Sequence, residues 1–199
     1  MTDVPNISPL VIFFASIITS NMVLTNFLGM CSYISVSSEY KTASGLGQAA
    51  LIVMSITTAL NWLIDHFLIV PLGLEYLRYV IFIIVIAATV QLLEMFLDRY
   101  FPALYISLGI FLPLITVNCA IFGVSLFMVI RGYSFIQTVL FGIGSGLGWW
   151  LAISLLAAIR HKIAGNKLPP GLNGPAIAFI TTGIIALAFI GFSGIVIIQ

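Results

Sequence analysis

The sequence predicts an all-α integral membrane protein of six spanning helices in two halves of three, and three observations carry that prediction. The first is scarcity of charge. Of 199 residues 61% are apolar, and only seven Lys or Arg and six Asp or Glu are present. A soluble domain of this length would carry roughly fifty charged side chains. So few cannot coat a globule with a water-facing surface, which excludes a soluble enzyme, a nucleic-acid binder and a disordered tail. The second is a mean hydropathy of +1.22, concentrated in runs of about 20 apolar residues. At about 1.5 Å per residue, such a run crosses a hydrocarbon core about 30 Å thick. The third is a degenerate internal repeat: Ser44-Gly45-Leu46-Gly47 returns as Ser145-Gly146-Leu147-Gly148.

The predicted spans are 9–30, 43–64, 74–97, 103–129, 135–159 and 175–198. Polar breaks divide them: 37–41, Asp65-His66, Asp98-Arg99, Arg131-Gly132-Tyr133 and the Pro-, Gly- and Asn-rich stretch 161–174. The N-terminus is expected to stay on as the first span, since residues 1–8 hold Asp3 and no basic residue, unlike a secretory signal. The chain therefore reads as one membrane domain over 1–199, with repeats at 1–101 and 102–199. Three spans per half is an odd number, so the second half would insert upside down relative to the first. Spans one and four are expected to be broken, because Asn26 and Gly29 in one, and Pro113, Asn118 and Gly123 in the other, permit a break. Lys41, Arg99, Arg160, Lys162 and Lys167 fall on one side and Arg78 and Arg131 on the other. The excess marks the first side as cytoplasmic and puts both termini outside.

Each half carries one cysteine late in its first span, beside an asparagine: Cys31 after Asn26, and Cys119 after Asn118. A lone cysteine in an apolar span is ordinarily a small buried hydrophobe. The other reading makes the pair metal ligands. Straight helices oppose it, because Cys31 would lie about 33 Å from the start of its span and Cys119 about 24 Å from the opposite face. Broken spans would let them meet, yet two thiolates are half of the four ligands that a zinc or iron–sulfur site needs, so a second chain would supply the rest. Glu94 lies one turn inside Asp98-Arg99. It is either an interfacial carboxylate or an intramembrane acid that takes up a cation from the cytoplasm.

Other motifs carry less. The run 142–148 holds four glycines without the G-x-G-x-x-G spacing and lies within a span. Gly142 with Gly146, and Gly144 with Gly148, read instead as small-residue pairs for close helix packing. Trp62, Trp149 and Trp150 read as packing or interfacial aromatics, and His161 as a solvated loop residue.

The segments 27–31 and, more tellingly, 108–123 resemble the E-type membrane subunits of the sodium-translocating NADH:quinone reductase family, Nqr. The likeness runs through Gln91-Leu92-Leu93-Glu94-Met95, Asp98-Arg99 and Gly144-Ser145-Gly146-Leu147-Gly148-Trp149 to Gly191-Phe192-Ser193-Gly194. It departs at Val124, at Gly132 and over 65–78. The resemblance implies a six-helix inverted-repeat subunit of a six-subunit complex, A to F, in a bacterial inner membrane. With its paralogue, the D-type subunit, it would hold one intramembrane [2Fe-2S] cluster, Cys31 and Cys119 being its two ligands. Electrons would pass from NADH to ubiquinone while sodium is exported; this chain would bind no flavin, NADH or quinone itself. Two alternatives stand beside it: the paralogous A-type member of the Rnf complex, which couples ferredoxin and NAD, and a secondary transporter built on inverted repeats.

Overall fold

The computed structural model describes residues 8–100, 112–163 and 174–191. Among them every regular element is helical. We number the helices α1 (Pro9–Ile17), α2 (Met30–Val36), α3 (Tyr40–Leu72), α4 (Glu75–Tyr100), α5 (Leu112–Thr116), α6 (Cys119–Ile130), α7 (Phe135–Ile163) and α8 (Pro175–Ile190). Of these, α3, α4 and α7 are long and apolar enough to cross a membrane. Together they make a helical membrane protein.

The first apolar run is not one helix. α1 ends at Ile17, residues 18–29 form successive turns, and α2 begins at Met30. The fourth run, where described, is interrupted between Thr116 and Cys119. Its beginning, the end of the sixth run and Lys167 lie outside the described residues.

One expected break is absent. The polar pair Asp65-His66 predicts the end of the second span, but α3 continues through a π-helical turn, Asp65–Ile69, to Leu72. Asp65 is paired and His66 is exposed with its ring laid on a neighbour, so neither forces the chain out of the helix. Asp65 accepts from Arg78 Nε at 2.7 Å, and the His66 ring stacks on Trp62 with centroids 4.9 Å apart. His161 likewise sits in the exposed last turn of α7 rather than in a loop.

The long helices α3 and α7 run antiparallel and form the most extensive pairing in the fold. Small residues set their approach. A Cβ on Gly146 would lie 2.8 Å from the Leu51 backbone, and one on Gly142 would lie 3.1 Å from Thr58 Oγ1. At the far end Trp62 packs on Phe135 and donates to the Tyr133 carbonyl at 2.9 Å. Gly144 and Gly148 serve α1 and the turn after it: Cβ atoms there would meet the Phe13 carbonyl at 2.8 Å and Asn21 Nδ2 at 2.9 Å. The two glycine pairs read from the sequence thus serve two different neighbours. α7 is the central helix, with 56% of its most apolar window buried, against 18% for α4 at the edge.

Candidate functional site

Two short connections bring the cysteines into one neighbourhood. Cys31 lies in the first turn of α2, and Cys119 opens α6. Gly29, which caps α2, takes the left-handed conformation at φ +84, and its N–H donates to Cys119 Sγ at 2.9 Å. The residue before α6, Asn118, caps it in the ordinary way: its side-chain oxygen accepts from Ala120 N at 2.9 Å. The same amide reaches back, Nδ2 donating to Ser32 Oγ at 3.0 Å. Ser32 Oγ donates in turn to the Gly29 carbonyl at 3.1 Å. Three hydrogen bonds, closed into a circuit by the Asn118–Cys119 peptide link, therefore tie one turn to the other.

Only glycine fits at position 29. Its φ is one that side chains resist. An added Cβ would also lie 2.8 Å from Trp149 Nε1 and 2.9 Å from the Ala120 methyl. Trp149 is fully buried behind it. Phe27, two residues earlier, is the one non-glycine residue at positive φ among those described, at +56. Such strain persists only where surrounding contacts hold it.

Both cysteines are exposed at the protein surface. The buried-hydrophobe reading therefore does not describe them. Cys119 begins α6, and the Gly29 N–H is a backbone donor aimed at its sulfur. Two outward thiols at one place can supply half of a tetrahedral thiolate set. Among the described residues no group of three or more His, Cys, Asp and Glu gathers to hold a metal, so a full set needs donors from elsewhere. Glu94 does not join the cysteines in such a cluster. It is half-buried on α4, about 24 Å along the helix from Arg78, one turn before the exposed Asp98 and Arg99.

Three residues that hold this site carry no clear mark in the sequence. Ser32 closes the circuit. Asn21 braces the turns after α1: its oxygen accepts from Val23 N at 3.0 Å and Leu24 N at 3.3 Å, and its amide donates to the Ile17 and Gly148 carbonyls. An asparagine inside an apolar run that must turn is the available signal. Arg160 satisfies the other end of α2, donating to the Ile34 carbonyl at 3.1 Å and Ser37 Oγ at 2.7 Å.

Residues 10–196 match a family described as "Rnf-Nqr subunit, membrane protein". The chain is 52% identical over 190 residues to the E-type subunit of the Na(+)-translocating NADH-quinone reductase of Tolumonas auensis, covering 92% of this chain and 96% of that one. It is 53% identical over 186 residues to the subunit of the same name from Aeromonas salmonicida, covering 90% and 94%. It is 48% identical over 205 residues to that of Chlamydia muridarum, covering 97% and 84%.

Proposed function

The chain belongs to the Rnf-Nqr family of membrane subunits, and on that premise we propose that it serves a sodium-translocating NADH:quinone reductase as its E-type subunit. Cys31 and Cys119 supply two of the four ligands of a [2Fe-2S] cluster within the membrane, and the paralogous D-type subunit supplies the other two. The observation that carries this reading is the pair of exposed cysteines at one closed circuit, with the Gly29 N–H on Cys119 Sγ. The cluster would accept one electron and pass it on. The chain's own part is to hold two thiolates, to aim an N–H at one of them and to keep the surround apolar, which together set the potential. The names of the relatives support the Nqr branch over Rnf. A secondary transporter would need no outward cysteine pair.

In this reading the chain sits in a bacterial inner membrane with both termini periplasmic, as a 3+3 inverted repeat. The antiparallel pairing of α3 with α7, the helices that carry the repeated Ser-Gly-Leu-Gly, supports the inverted arrangement. The turns at 18–29 and before Cys119 would make spans one and four pairs of half-helices that meet inside the bilayer.

Replacing either cysteine by serine in the assembled complex should remove about one cluster's worth of iron and sulfide, because a hydroxyl is a poor ligand for iron–sulfur centres. Full iron content in both variants would defeat the assignment. Glu94 serves sodium uptake on the cytoplasmic side, since a hard cation prefers carboxylate oxygen and Glu94 is the acid drawn inside the helix end. Glu94→Gln should leave cluster content intact and raise the sodium concentration for half-maximal quinone reduction several-fold. Unchanged sodium dependence would return Glu94 to an interfacial role.

A further inference from the structure

Where α3 begins and α7 ends, the protein carries an open pocket of about 530 Å³, lined by Glu39, Tyr40, Lys41, Ala158 and His161. That volume falls within the usual span of small-molecule sites, about 300–1,000 Å³. Arg160 fixes the surroundings. Its bonds to the Ile34 carbonyl and to Ser37 Oγ pin the end of α2 to α7, and with it the short link that leads into Glu39. The lining carries both signs of charge. Lys41 has no ion pair among the described residues. Glu39 gives Oε2 to the Thr42 hydroxyl at 2.8 Å, and its other carboxylate oxygen has no partner among them. The exposed His161 ring offers an N–H whichever nitrogen carries the proton. A ligand that satisfies this lining presents an anion to Lys41 and His161, and a cation with N–H groups to Glu39.

What lies beyond the pocket selects the rest of the ligand. Gly146 lies against Leu51, and Gly47 against Trp150, so these positions mark the facing sides of α3 and α7. One residue further along turns a helix by about 100°, and in an antiparallel pair that step turns both helices to the same flank. On this flank Ile52 and Ile56 of α3 and Leu151 and Leu155 of α7 are all exposed. The polar end of the flank is the pocket. Lys41, Gln48, Ile52 and Ile56 follow one stripe of α3, and Ala158, Leu155 and Leu151 follow one stripe of α7. Charged groups thus stand at the head of an exposed apolar strip on two membrane-length helices. Tyr40, also exposed, is an aromatic suited to the level of lipid headgroups.

We propose that the pocket binds one phospholipid whose headgroup ends in a primary ammonium, phosphatidylethanolamine. Lys41 and His161 hold its phosphodiester, Glu39 accepts from its ammonium, and its acyl chains lie along the strip of Ile52, Ile56, Leu151 and Leu155. The pairing of charges selects this headgroup. Phosphatidylcholine carries the same charges but has no N–H to give Glu39, and phosphatidylglycerol has no cation at all. The proposal rests on the placement of the chain in a membrane and needs neither the iron–sulfur cluster nor sodium.

Thermal protection of the assembled complex, delipidated in detergent and given back one lipid at a time, tests this. Phosphatidylethanolamine should protect the parent at a concentration about tenfold below that of phosphatidylcholine or phosphatidylglycerol, the worth of one charge-assisted hydrogen bond. Lys41→Gln should raise the phosphatidylethanolamine concentration for half-maximal protection about tenfold. Glu39→Gln leaves the grip on phosphate and should erase the preference for phosphatidylethanolamine over phosphatidylglycerol. A parent with no such preference, superimposable curves for the parent and Lys41→Gln, or an unchanged preference in Glu39→Gln would each overturn the proposal. Glycerophosphoethanolamine, the same headgroup without acyl chains, should give no protection at these concentrations. Protection equal to the lipid's would make the ligand a soluble phosphoester and overturn the lipid assignment. Should Lys41→Gln fail to assemble, Ala158→Trp decides, because it fills the pocket and leaves every charge in place. A parent-like curve for Ala158→Trp removes the site, and a tenfold weaker one supports it.

Discussion

The two cysteine-bearing turns do the same job by different means. Asn118 starts α6 with an extended backbone, φ −74 and ψ 116, and spends its side-chain oxygen on the Ala120 N–H. Gly29 starts α2 from the left-handed region and offers no side chain at all. It leaves its own N–H free, and that N–H reaches the other turn's cysteine. One turn is built from a side chain and could accept a related one; the other is built from a backbone conformation and a lack of volume. Cys119 thus gains a backbone donor from the opposite half. Among the described residues, no corresponding bond to the Cys31 sulfur is present. The lesson is that paired sites in a repeated fold need not be electrostatically equal.

That comparison can be broken experimentally. The largest effect is expected from Gly29→Ala. The left-handed conformation alone costs about 1 kcal/mol or more for a residue with a Cβ, and the contacts with Trp149 and Ala120 must also give way. The bond from the position-29 N–H to Cys119 Sγ should be lost, and iron and sulfide in the assembled complex should fall to near the level of the Cys119→Ser variant. Retention of parent iron content would mean that the turn tolerates a side chain. An intermediate effect is expected from Asn118→Ala, which removes a cap worth about 1 kcal/mol and the bond to Ser32. The complex should unfold a few degrees earlier while most of its iron stays. Asn118→Ser should be milder still, since serine caps but is too short to hold Ser32. If Ala and Ser behave alike in thermal unfolding, the cap contributes nothing and the Ser32 link is what matters.

The same contrast separates what is legible in the sequence from what is not. Close packing through Gly142, Gly144, Gly146 and Gly148 is legible, because small residues four apart share a helix face wherever the helix goes. Which neighbour each pair meets is not, since that depends on how α1 and α3 flank α7. Asn118 as a break is legible from its place before a new apolar run. Ser32 and Asn21 are not, because short polar residues inside apolar runs commonly bond their own helix. Here Ser32 and Asn21 make such local bonds and also join segments far apart in sequence. The continuation of α3 past Asp65-His66 escapes the sequence for a related reason. A polar pair ends a span only if nothing beside it accommodates the polar groups; here Arg78 pairs with Asp65, and His66 lies exposed against Trp62.

By itself the sequence determined that this chain is a helical membrane protein. Thirteen charged residues cannot clothe 199 in water, and apolar runs of this length satisfy their backbone in lipid only as helices. The tertiary structure alone decided that Cys119 lies against the turn that leads into Cys31, and that Gly142 and Gly146 meet Thr58 and Leu51 across two antiparallel helices. Both follow from turns and register. A straight helix converts sequence separation into distance at a fixed rise, but a turn such as 18–29 resets that conversion, and its direction is chosen by the contacts it makes.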